Sequence, residues 1–206
     1  AMFHVLPVPY EKTVSYGGGT NKGPSTILNA SWQLEKWDGK SNPCDLGIYT
    51  CPPVDCSVSS QQVIDNIANA TAEIIRNGGI PVVLGGEHTV TYGVIKGLKD
   101  AGIEDFGIVQ IDAHADLRHA YEGDILSHAS VMKRAVDMGI PLYQLGIRAF
   151  CEEEMQVREE FGVYYQDADE LVPNNINSIT LPDDFPKKVF FTVDIDGMDP
   201  SVFPST

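Results

Sequence analysis

The stretch FGIVQIDAHADLR, residues 106–118, places three metal-seeking side chains directly after a run of mostly apolar residues. Asp112, His114 and Asp116 are separated from one another by single alanines. In an extended backbone, side chains at every second position point to the same side. Two carboxylates and one imidazole would then converge on one point, which predicts part of a cation-binding site.

Two further polar clusters follow other apolar runs of the chain. GGEH (85–88) follows PVVL, and DID (194–196) follows VFFTV. In an open parallel α/β sheet, ligands bind outside the carboxyl ends of the strands. All three clusters are therefore expected at the same edge of a sheet. The candidate metal ligands are His88, Asp112, His114, Asp116, Asp194 and Asp196.

The composition of this ligand set favours manganese. Converging carboxylates repel one another, and divalent ions would offset that repulsion. An oxygen-rich set with a minority of imidazole suits Mn²⁺ better than Zn²⁺. Two ions about 3.5–4 Å apart can share a bridging water and deprotonate it. Each cluster alone also has a structural interpretation, such as an Asx-turn at DIDGMD, but their joint occurrence after three strands favours a metal site.

Strands and helices alternate along the chain. Apolar runs predict strands over 45–50, 81–84, 106–111, 141–147, 162–166 and 189–193. Apolar residues at helical spacing predict helices over 57–77, 89–100, 128–138 and 152–161. The strands show little polar alternation, which is typical of a parallel sheet covered by helices on both faces. We predict a single three-layer α/β/α domain over 2–206. The last strand has no following helix, so further C-terminal strands are expected in the natural protein.

The charge balance argues against several classes of partner. The net charge is −15, from 29 acidic and 14 basic residues, and so acidic a surface repels nucleic acid. It suits a cationic ligand, although acidity also serves solubility. No apolar run approaches the roughly 18 residues of a membrane span, and no export signal is visible. We therefore predict a cytoplasmic protein whose cysteines, Cys44, Cys51, Cys56 and Cys151, are reduced.

The motifs GGEHT, DAHADLR, SHAS and DIDGMDPSVFP resemble those of the ureohydrolase family, the arginases and agmatinases. The segment GGGTNKGPSTILNAS is similar to the substrate-mouth region of that family. The resemblance implies an arginase-like fold with two Mn²⁺ ions per subunit. It assigns one ion to His88, Asp112, Asp116 and Asp194, and the other to His114, Asp112, Asp194 and Asp196.

The resemblance also implies how the reaction would proceed. A hydroxide bridging the ions would attack the guanidinium carbon, and the intermediate would collapse to urea and an amine. Asp116 would orient that hydroxide, and His128 of the SHAS motif would transfer a proton or position the substrate. The leaving amine needs a proton, and a histidine titrating near neutrality can relay one. Without the other motifs, His128 would be interpreted as a helix-start histidine with a solvated ring.

Two positions in the sequence bear on which substrate the chain would accept. Arginases carry an asparagine two residues after the last aspartate of their DAHxD motif, where this chain has Arg118. They carry an aspartate three residues after the arginine of a GLR-type stretch, where this chain has Cys151. Both departures count against free arginine. DAHADLR followed by YEGDILSHAS resembles agmatinase, whose substrate lacks the α-carboxylate. This resemblance implies an agmatinase-like enzyme that converts agmatine to putrescine and urea.

Other interpretations remain open. The enzyme alternative is another guanidino or formimino hydrolase, such as a guanidinobutyrase. The family's substrate-binding glutamate falls beyond the DIDGMD motif and would lie past Thr206, so a truncated non-catalytic subunit is the alternative from another class. The family resemblance implies a homo-oligomer, a trimer or hexamer, with a small cationic guanidino substrate and no nucleic acid or membrane partner. A single-zinc deacetylase is disfavoured because the chain lacks a His-His tandem.

Overall fold

A computed structural model describes residues 1–203 of the chain. The chain divides into two compact units, of which the first is Ala1–Ile103 and the second begins at Glu104. Each unit has its own all-parallel sheet with helices between the strands. The predicted parallel α/β class is therefore confirmed, while the single domain over 2–206 stays a prediction. Among the described residues, no helix is long and apolar enough to cross a membrane.

The first unit is built on a three-stranded parallel sheet. Its elements are β1 (Phe3–Val8), α1 (Gly23–Ser31), β2 (Ile48–Thr50), α2 (Ser60–Arg76), β3 (Ile80–Gly85) and α3 (Val90–Asp100). The strand order is β2-β1-β3, with Phe3 of β1 opposite Ile48 on one side and Ile80 on the other. Because the strands are parallel, their carboxyl ends meet at one edge, where β3 runs into the GGEH cluster.

Helix α2 forms where the sequence combines a capping residue with apolar residues at helical spacing. The hydroxyl of Ser59 accepts a hydrogen bond from the backbone N–H of Gln62 at 3.3 Å. The helix ends before Gly78, whose φ of +79° is a left-handed conformation that glycine tolerates. The apolar side chains that it buries are Val63, Ile64, Ile67, Ala68, Ala72 and Ile74.

Two glycines allow α3 to lie directly against α2. A Cβ atom on Gly93 would stand 2.6 Å from the Cβ of Ile67, and one on Gly97 would stand 2.6 Å from the carbonyl oxygen of Ala68. Real Cβ atoms do not approach other atoms so closely. The two helices can therefore be this near each other only because α3 has no side chain at these positions.

Replacing Gly97 by alanine should destabilise the first unit although it favours the helix. Alanine improves helix propensity by about 1 kcal/mol, but forcing a methyl group into this contact costs about 1–3 kcal/mol. We expect a net loss of up to about 2 kcal/mol in the free energy of unfolding. Urea unfolding followed by tryptophan fluorescence measures it, because Trp32 and Trp37 both lie in this unit. A gain in stability would contradict the prediction.

The second unit is built on a four-stranded parallel sheet. Its elements are β4 (Gly107–Ile111), α4 (Val131–Asp137), β5 (Leu142–Leu145), α5 (Glu152–Phe161), β6 (Tyr164–Gln166), α6 (Ala168–Leu171) and β7 (Val189–Val193). The strand order is β6-β5-β4-β7. Ile111 of β4 is the register partner of Leu145 on one side and of Val193 on the other. The residues that follow β4 and β7 therefore leave the sheet from neighbouring points.

The elements predicted from the sequence are all present, with ends that differ by at most three residues. The predicted helix over 128–138 is a 3₁₀ turn, His128–Ser130, followed by α4. Among the strands and α-helices of the described residues, three were not predicted: β1, α1 and α6. The sequence of β1 is interrupted by a histidine and a proline, and that of α1 contains glycine, proline, serine and threonine, which are poor helix formers.

Candidate metal centre

Asp112, the first residue after β4, is almost completely buried, with 1% of its surface exposed. Its Oδ1 accepts a hydrogen bond from the backbone N–H of His114 at 2.7 Å. Its Oδ2 accepts a second hydrogen bond from the side-chain amide of Gln110 at 2.8 Å. A carboxylate has about four lone-pair directions, which is more than these two hydrogen bonds occupy.

His114 and Asp196 complete a cluster of three ligand-type side chains with Asp112. The Nδ1 atom of His114 lies 3.1 Å from Oδ2 of Asp196 and 3.8 Å from Oδ1 of Asp112. Asp196 is oriented by the backbone N–H of Ala113, which donates to its Oδ1 at 3.1 Å. All three side chains offer ligand atoms within 4.8 Å of one another. This spacing and the mix of oxygen and nitrogen fit a divalent cation such as Mn²⁺.

The electrostatics of this cluster favour positive charge. The hydrogen bond that the His114 ring donates to Asp196 raises the pKa of His114 to about 9 against the effect of burial, and the charges of Asp196, Asp116 and Asp112 act in the same direction. Burial would raise the pKa of Asp196, but its hydrogen bonds with His114 and with the backbone of Ala113 hold that pKa below its usual range. The Asp196 carboxylate is thus kept ionised, which favours the binding of a cation.

Asp116 is buried, with 5% of its surface exposed, and has a left-handed backbone with φ of +54°. The expectation that an extended backbone carries Asp112, His114 and Asp116 to one side is therefore wrong, because β4 ends at Ile111. The carbonyl oxygen of Asp116 accepts from the backbone N–H groups of Met132 and Lys133 at 3.0 and 3.2 Å. These bonds tie the turn to the start of α4 and fix the conformation of Asp116.

Asp194 follows β7 and extends its pairing with β4. Its backbone N–H donates to the carbonyl oxygen of Ile111 at 2.8 Å, and its side chain caps the short 3₁₀ helix Ile195–Gly197 through the N–H of Asp196. Gly197 passes so close that a Cβ atom there would stand 2.7 Å from the backbone nitrogen of Asp112. Asp194 and Asp196 are thereby both held beside the DAHAD turn. The last residue of the DIDGMDPSVFP motif, Pro204, lies outside the described residues.

His88 lies in the first unit, between β3 and α3, and is buried with 8% of its surface exposed. Its neighbour Glu87, which the sequence reasoning missed, fixes the segment around it. Both carboxylate oxygens of Glu87 accept hydrogen bonds, from the backbone of Lys12 and Thr13 and from the hydroxyls of Thr13 and Thr89, each at 2.7 Å. Gly86 is required because a Cβ atom there would stand 2.0 Å from the carbonyl oxygen of Tyr10.

His128 begins the 3₁₀ turn before α4 and is half-buried. Its ring meets the ring of Tyr121 edge to face, with centroids 5.1 Å apart. The ring is therefore held by packing, unlike that of a solvated helix-start histidine. Its catalytic role stays a prediction.

The two positions that bear on the substrate are joined by one buried carboxylate. Glu154 of α5 is 3% exposed; its Oε1 accepts from the backbone N–H of Leu117 at 3.0 Å, and its Oε2 accepts from that of Cys151 at 2.8 Å. The same Oε2 lies 3.9 Å from Nε of Arg118. The sequence reasoning missed Glu154 because it stands in the polar run EEEMQVREEF, which predicts a solvated helix face.

A model of the Arginase family matches residues 1–206 of this chain. The chain belongs to the arginase family. It is 39% identical to N(1)-aminopropylagmatine ureohydrolase of Synechocystis sp., over 97% of this chain and 68% of that protein. It is 32% identical to the agmatinase of Bacillus subtilis, over 97% of this chain and 69% of that protein.

Solved structures agree with the sequence relatives. The agmatine ureohydrolase of Thermoplasma volcanium superimposes with a TM-score of 0.85 at 28% identity, over 99% of this chain and 70% of that one. The arginase of Medicago truncatula gives a TM-score of 0.86 at 25% identity, over 98% and 67%. The fold is thus arginase-like, with parallel sheets, and the chain is a hydrolase of the arginase and agmatinase type.

Proposed function

We propose that this arginase-family chain is a manganese-dependent ureohydrolase that cleaves agmatine to putrescine and urea. The observation that carries the proposal is the convergence of Asp112, His114 and Asp196 after β4 and β7, with ligand atoms within 4.8 Å of one another. The names of the similar agmatinases support a guanidino amine as substrate. A protein of net charge −15 also favours the approach of such a cation.

The proposed ligand set for two Mn²⁺ ions is the one that the family resemblance implies. One ion would be held by His88, Asp112, Asp116 and Asp194, and the other by His114, Asp112, Asp194 and Asp196. The chemistry that bound Mn²⁺ supplies is Lewis acidity, which lowers the pKa of water enough to make it a nucleophile near neutral pH.

The chain's own residues would do the remaining work. The buried carboxylate of Asp116 would accept a hydrogen bond from the attacking water and orient it toward the guanidinium carbon. His128, whose ring is held by Tyr121, would give a proton to the leaving amine, which needs one because an amide anion is a very poor leaving group.

Two side chains support a substrate without an α-amino acid head group. Arg118 is engaged by Glu154 and stands over the ring of Tyr121 at 5.9 Å, so its charge is partly offset. Cys151 offers no carboxylate to an α-ammonium group. N(1)-aminopropylagmatine is the second candidate substrate, because the relative that is 39% identical carries that name.

Urea release with Mn²⁺ present tests the proposal, using agmatine, N(1)-aminopropylagmatine, arginine and 4-guanidinobutyrate. The proposal expects the highest kcat/KM with agmatine, and at least a tenfold lower value with arginine, whose α-carboxylate has no partner matching the family's asparagine. The highest kcat/KM with N(1)-aminopropylagmatine would favour the second candidate. No urea from any of the four by a folded protein that binds Mn²⁺ would overturn the proposed activity.

Manganese affinity should rise with pH, because the pKa of His114 is raised to about 9. Below that pKa the imidazole carries a proton that a metal ion must displace, so binding releases a proton. Between about pH 6.5 and 8.5 we expect the Mn²⁺ affinity of chelator-treated protein to increase by up to about tenfold per pH unit. The free Mn²⁺ signal in electron paramagnetic resonance (EPR) titrations measures this. Mn²⁺ affinity should rise less steeply with pH in His114→Asn than in the wild type. An equal dependence on pH in both proteins would contradict the assignment of His114 as a metal ligand.

The assembly and location of the protein are also proposals. We propose a homo-oligomer, a trimer or hexamer, in the cytoplasm, with no nucleic-acid or membrane partner. Sedimentation of the purified protein tests the assembly, and a monomer at micromolar concentration would contradict it.

A further inference from the structure

A row of buried polar side chains crosses the second sheet next to the candidate metal centre. Gln110 of β4 and Gln144 of β5 are register partners, so their side chains lie on the same face of the sheet. Neither glutamine exposes any surface, and Arg158 of α5 is only 1% exposed. Polar groups buried to this extent are costly unless each finds a partner.

These side chains form a continuous chain of hydrogen bonds that ends on Asp112. Nε of Arg158 donates to Oε1 of Gln144 at 2.8 Å. Nε2 of Gln144 donates to Oε1 of Gln110 at 2.7 Å. Nε2 of Gln110 donates to Oδ2 of Asp112 at 2.8 Å. We call these four residues the Arg158–Asp112 relay.

The direction of the relay is fixed at both ends. A guanidinium group has only donors, so Gln144 must turn its carbonyl oxygen toward Arg158. Its amide nitrogen then faces Gln110, which must in turn present its own carbonyl oxygen to Gln144. Gln110 is left with its N–H groups facing Asp112, whose Oδ2 accepts from them. The arginine therefore determines which end of Gln110 meets the aspartate.

The relay is anchored to the scaffold. Arg158 makes a bidentate contact with Asp167, at 2.9 and 3.0 Å, and stacks over the ring of Tyr165 at 4.3 Å. Nε2 of Gln144 also donates to the carbonyl oxygen of Ala115 at 2.7 Å, and Nε2 of Gln110 lies 3.2 Å from that of His114. The amides of the relay thus also hold the backbone of the DAHAD turn.

We propose that Gln110 is a positioning residue for the metal ligand Asp112, and that Arg158 sets the orientation of Gln110 through Gln144. This inference rests on the proposed function, since it takes Asp112 as a ligand. Gln110 fixes Oδ2 while the backbone N–H of His114 fixes Oδ1, so the orientation of the carboxylate is set at both of its oxygens. Groups that orient metal ligands in this way contribute strongly to metal affinity.

The first variant is Gln110→Met, which keeps the length of the side chain and removes its donor. Mn²⁺ titration of chelator-treated full-length protein, read by EPR, should show a dissociation constant about 10–100-fold higher than in the wild type. At saturating Mn²⁺, KM for agmatine should stay within about threefold, because Gln110 does not touch substrate. A structural role alone would lower the unfolding temperature without this change in metal affinity.

The matched control is Tyr143→Phe. Tyr143 is the neighbour of Gln144 on β5, is buried, and loses one hydrogen bond, to Gln166 at 3.2 Å, when its hydroxyl is removed. It lies outside the relay, so its Mn²⁺ dissociation constant should stay within about twofold of the wild type.

The second variant, Gln144→Glu, tests the direction of the relay and preserves the side-chain shape. A glutamate at 144 can pair with Arg158, but it presents only acceptors to Gln110. If the amide of Gln110 keeps its orientation, its carbonyl oxygen faces a carboxylate oxygen of residue 144. If the amide turns over instead, its carbonyl oxygen faces the carboxylate of Asp112. We expect a rise of about tenfold in the Mn²⁺ dissociation constant, even though this side chain does not touch Asp112.

The outcomes separate this inference from the proposed function. Wild-type affinity in both Gln110→Met and Gln144→Glu, in a wild type that binds Mn²⁺, would overturn the positioning role alone. An equal loss of affinity in Tyr143→Phe would likewise overturn it, by showing that any lost hydrogen bond in this core loosens the site. A folded wild type that binds no Mn²⁺ would overturn the proposed function and this inference together.

Discussion

Asp112→Asn should abolish the Mn²⁺-dependent release of urea from agmatine. The substitution keeps the size of the side chain and an acceptor for the backbone N–H of His114, but it removes the negative charge from the most buried carboxylate of the cluster. Loss of a residue that merely orients a metal ligand costs about 10–100-fold in affinity or activity, so loss of Asp112, the proposed bridging ligand, should cost more than about 100-fold in kcat/KM. Urea assays and Mn²⁺ titrations of the same samples measure both effects.

Asp183→Asn is the control for this experiment. It makes the same change from acid to amide at an exposed position of the second unit, and both urea release and Mn²⁺ affinity should stay within about twofold of the wild type. Activity above about a tenth of the wild-type value in Asp112→Asn would contradict the assignment of Asp112 as a bridging ligand.

The largest effect on stability is expected from Asp167→Ala. Arg158 is 1% exposed, and its bidentate ion pair with Asp167 is the only salt bridge found for it among the described residues. Removing one partner of a buried pair leaves an uncompensated charge and typically costs about 3–5 kcal/mol. We expect a loss of about 3 kcal/mol in the free energy of unfolding of the second unit, because Gln144 and the ring of Tyr165 still contact the guanidinium.

Near-UV circular dichroism of tyrosine should follow this unfolding, since the second unit contains no tryptophan and has a core that includes Tyr143. Asp169→Ala, which removes an exposed acid two residues away in α6, should change stability by less than about 0.5 kcal/mol. The double variant Arg158→Met/Asp167→Ala should recover part of the loss, because it leaves no buried charge. A double variant less stable than Asp167→Ala would show that the guanidinium stabilises the unit without its partner.

The sequence predicted the parallel strands and the candidate ligands for a shared reason. Buried strands consist of continuous apolar residues, and the polar residues that interrupt them mark the strand ends where parallel sheets bind ligands. Asp112 and Asp194 were located by that logic, and the structure places them after register partners. The expectation of an extended backbone through Asp116 was wrong, because a pattern of apolar and polar residues does not indicate where a residue other than glycine adopts a left-handed conformation.

The supporting residues could not be predicted. Glu87, Glu154 and Arg158 are charged side chains in polar surroundings of the sequence, where a solvated position is the ordinary interpretation, yet all three are at least 95% buried. In the sequence, Gln110 is a single polar residue within an apolar strand, which does not indicate what its side chain contacts. The hydrogen-bond partners of these four residues lie from 2 to 75 residues away along the chain. Their roles therefore depend on tertiary contacts, which a local sequence pattern does not reveal.

The backbone of Asp116 has a consequence for engineering. A left-handed conformation costs most residues roughly 1–2 kcal/mol; aspartate and asparagine tolerate it better than most, and glycine adopts it without that cost. Either replacement would also remove one charge from a crowd of carboxylates. A directed-evolution screen that rewards thermal resistance alone would therefore favour Asp116→Gly or Asp116→Asn and remove a residue of the proposed reaction centre. Heat-stable variants of this hydrolase should be chosen by the urea that they release after heating, because at this position stability and chemistry favour different residues.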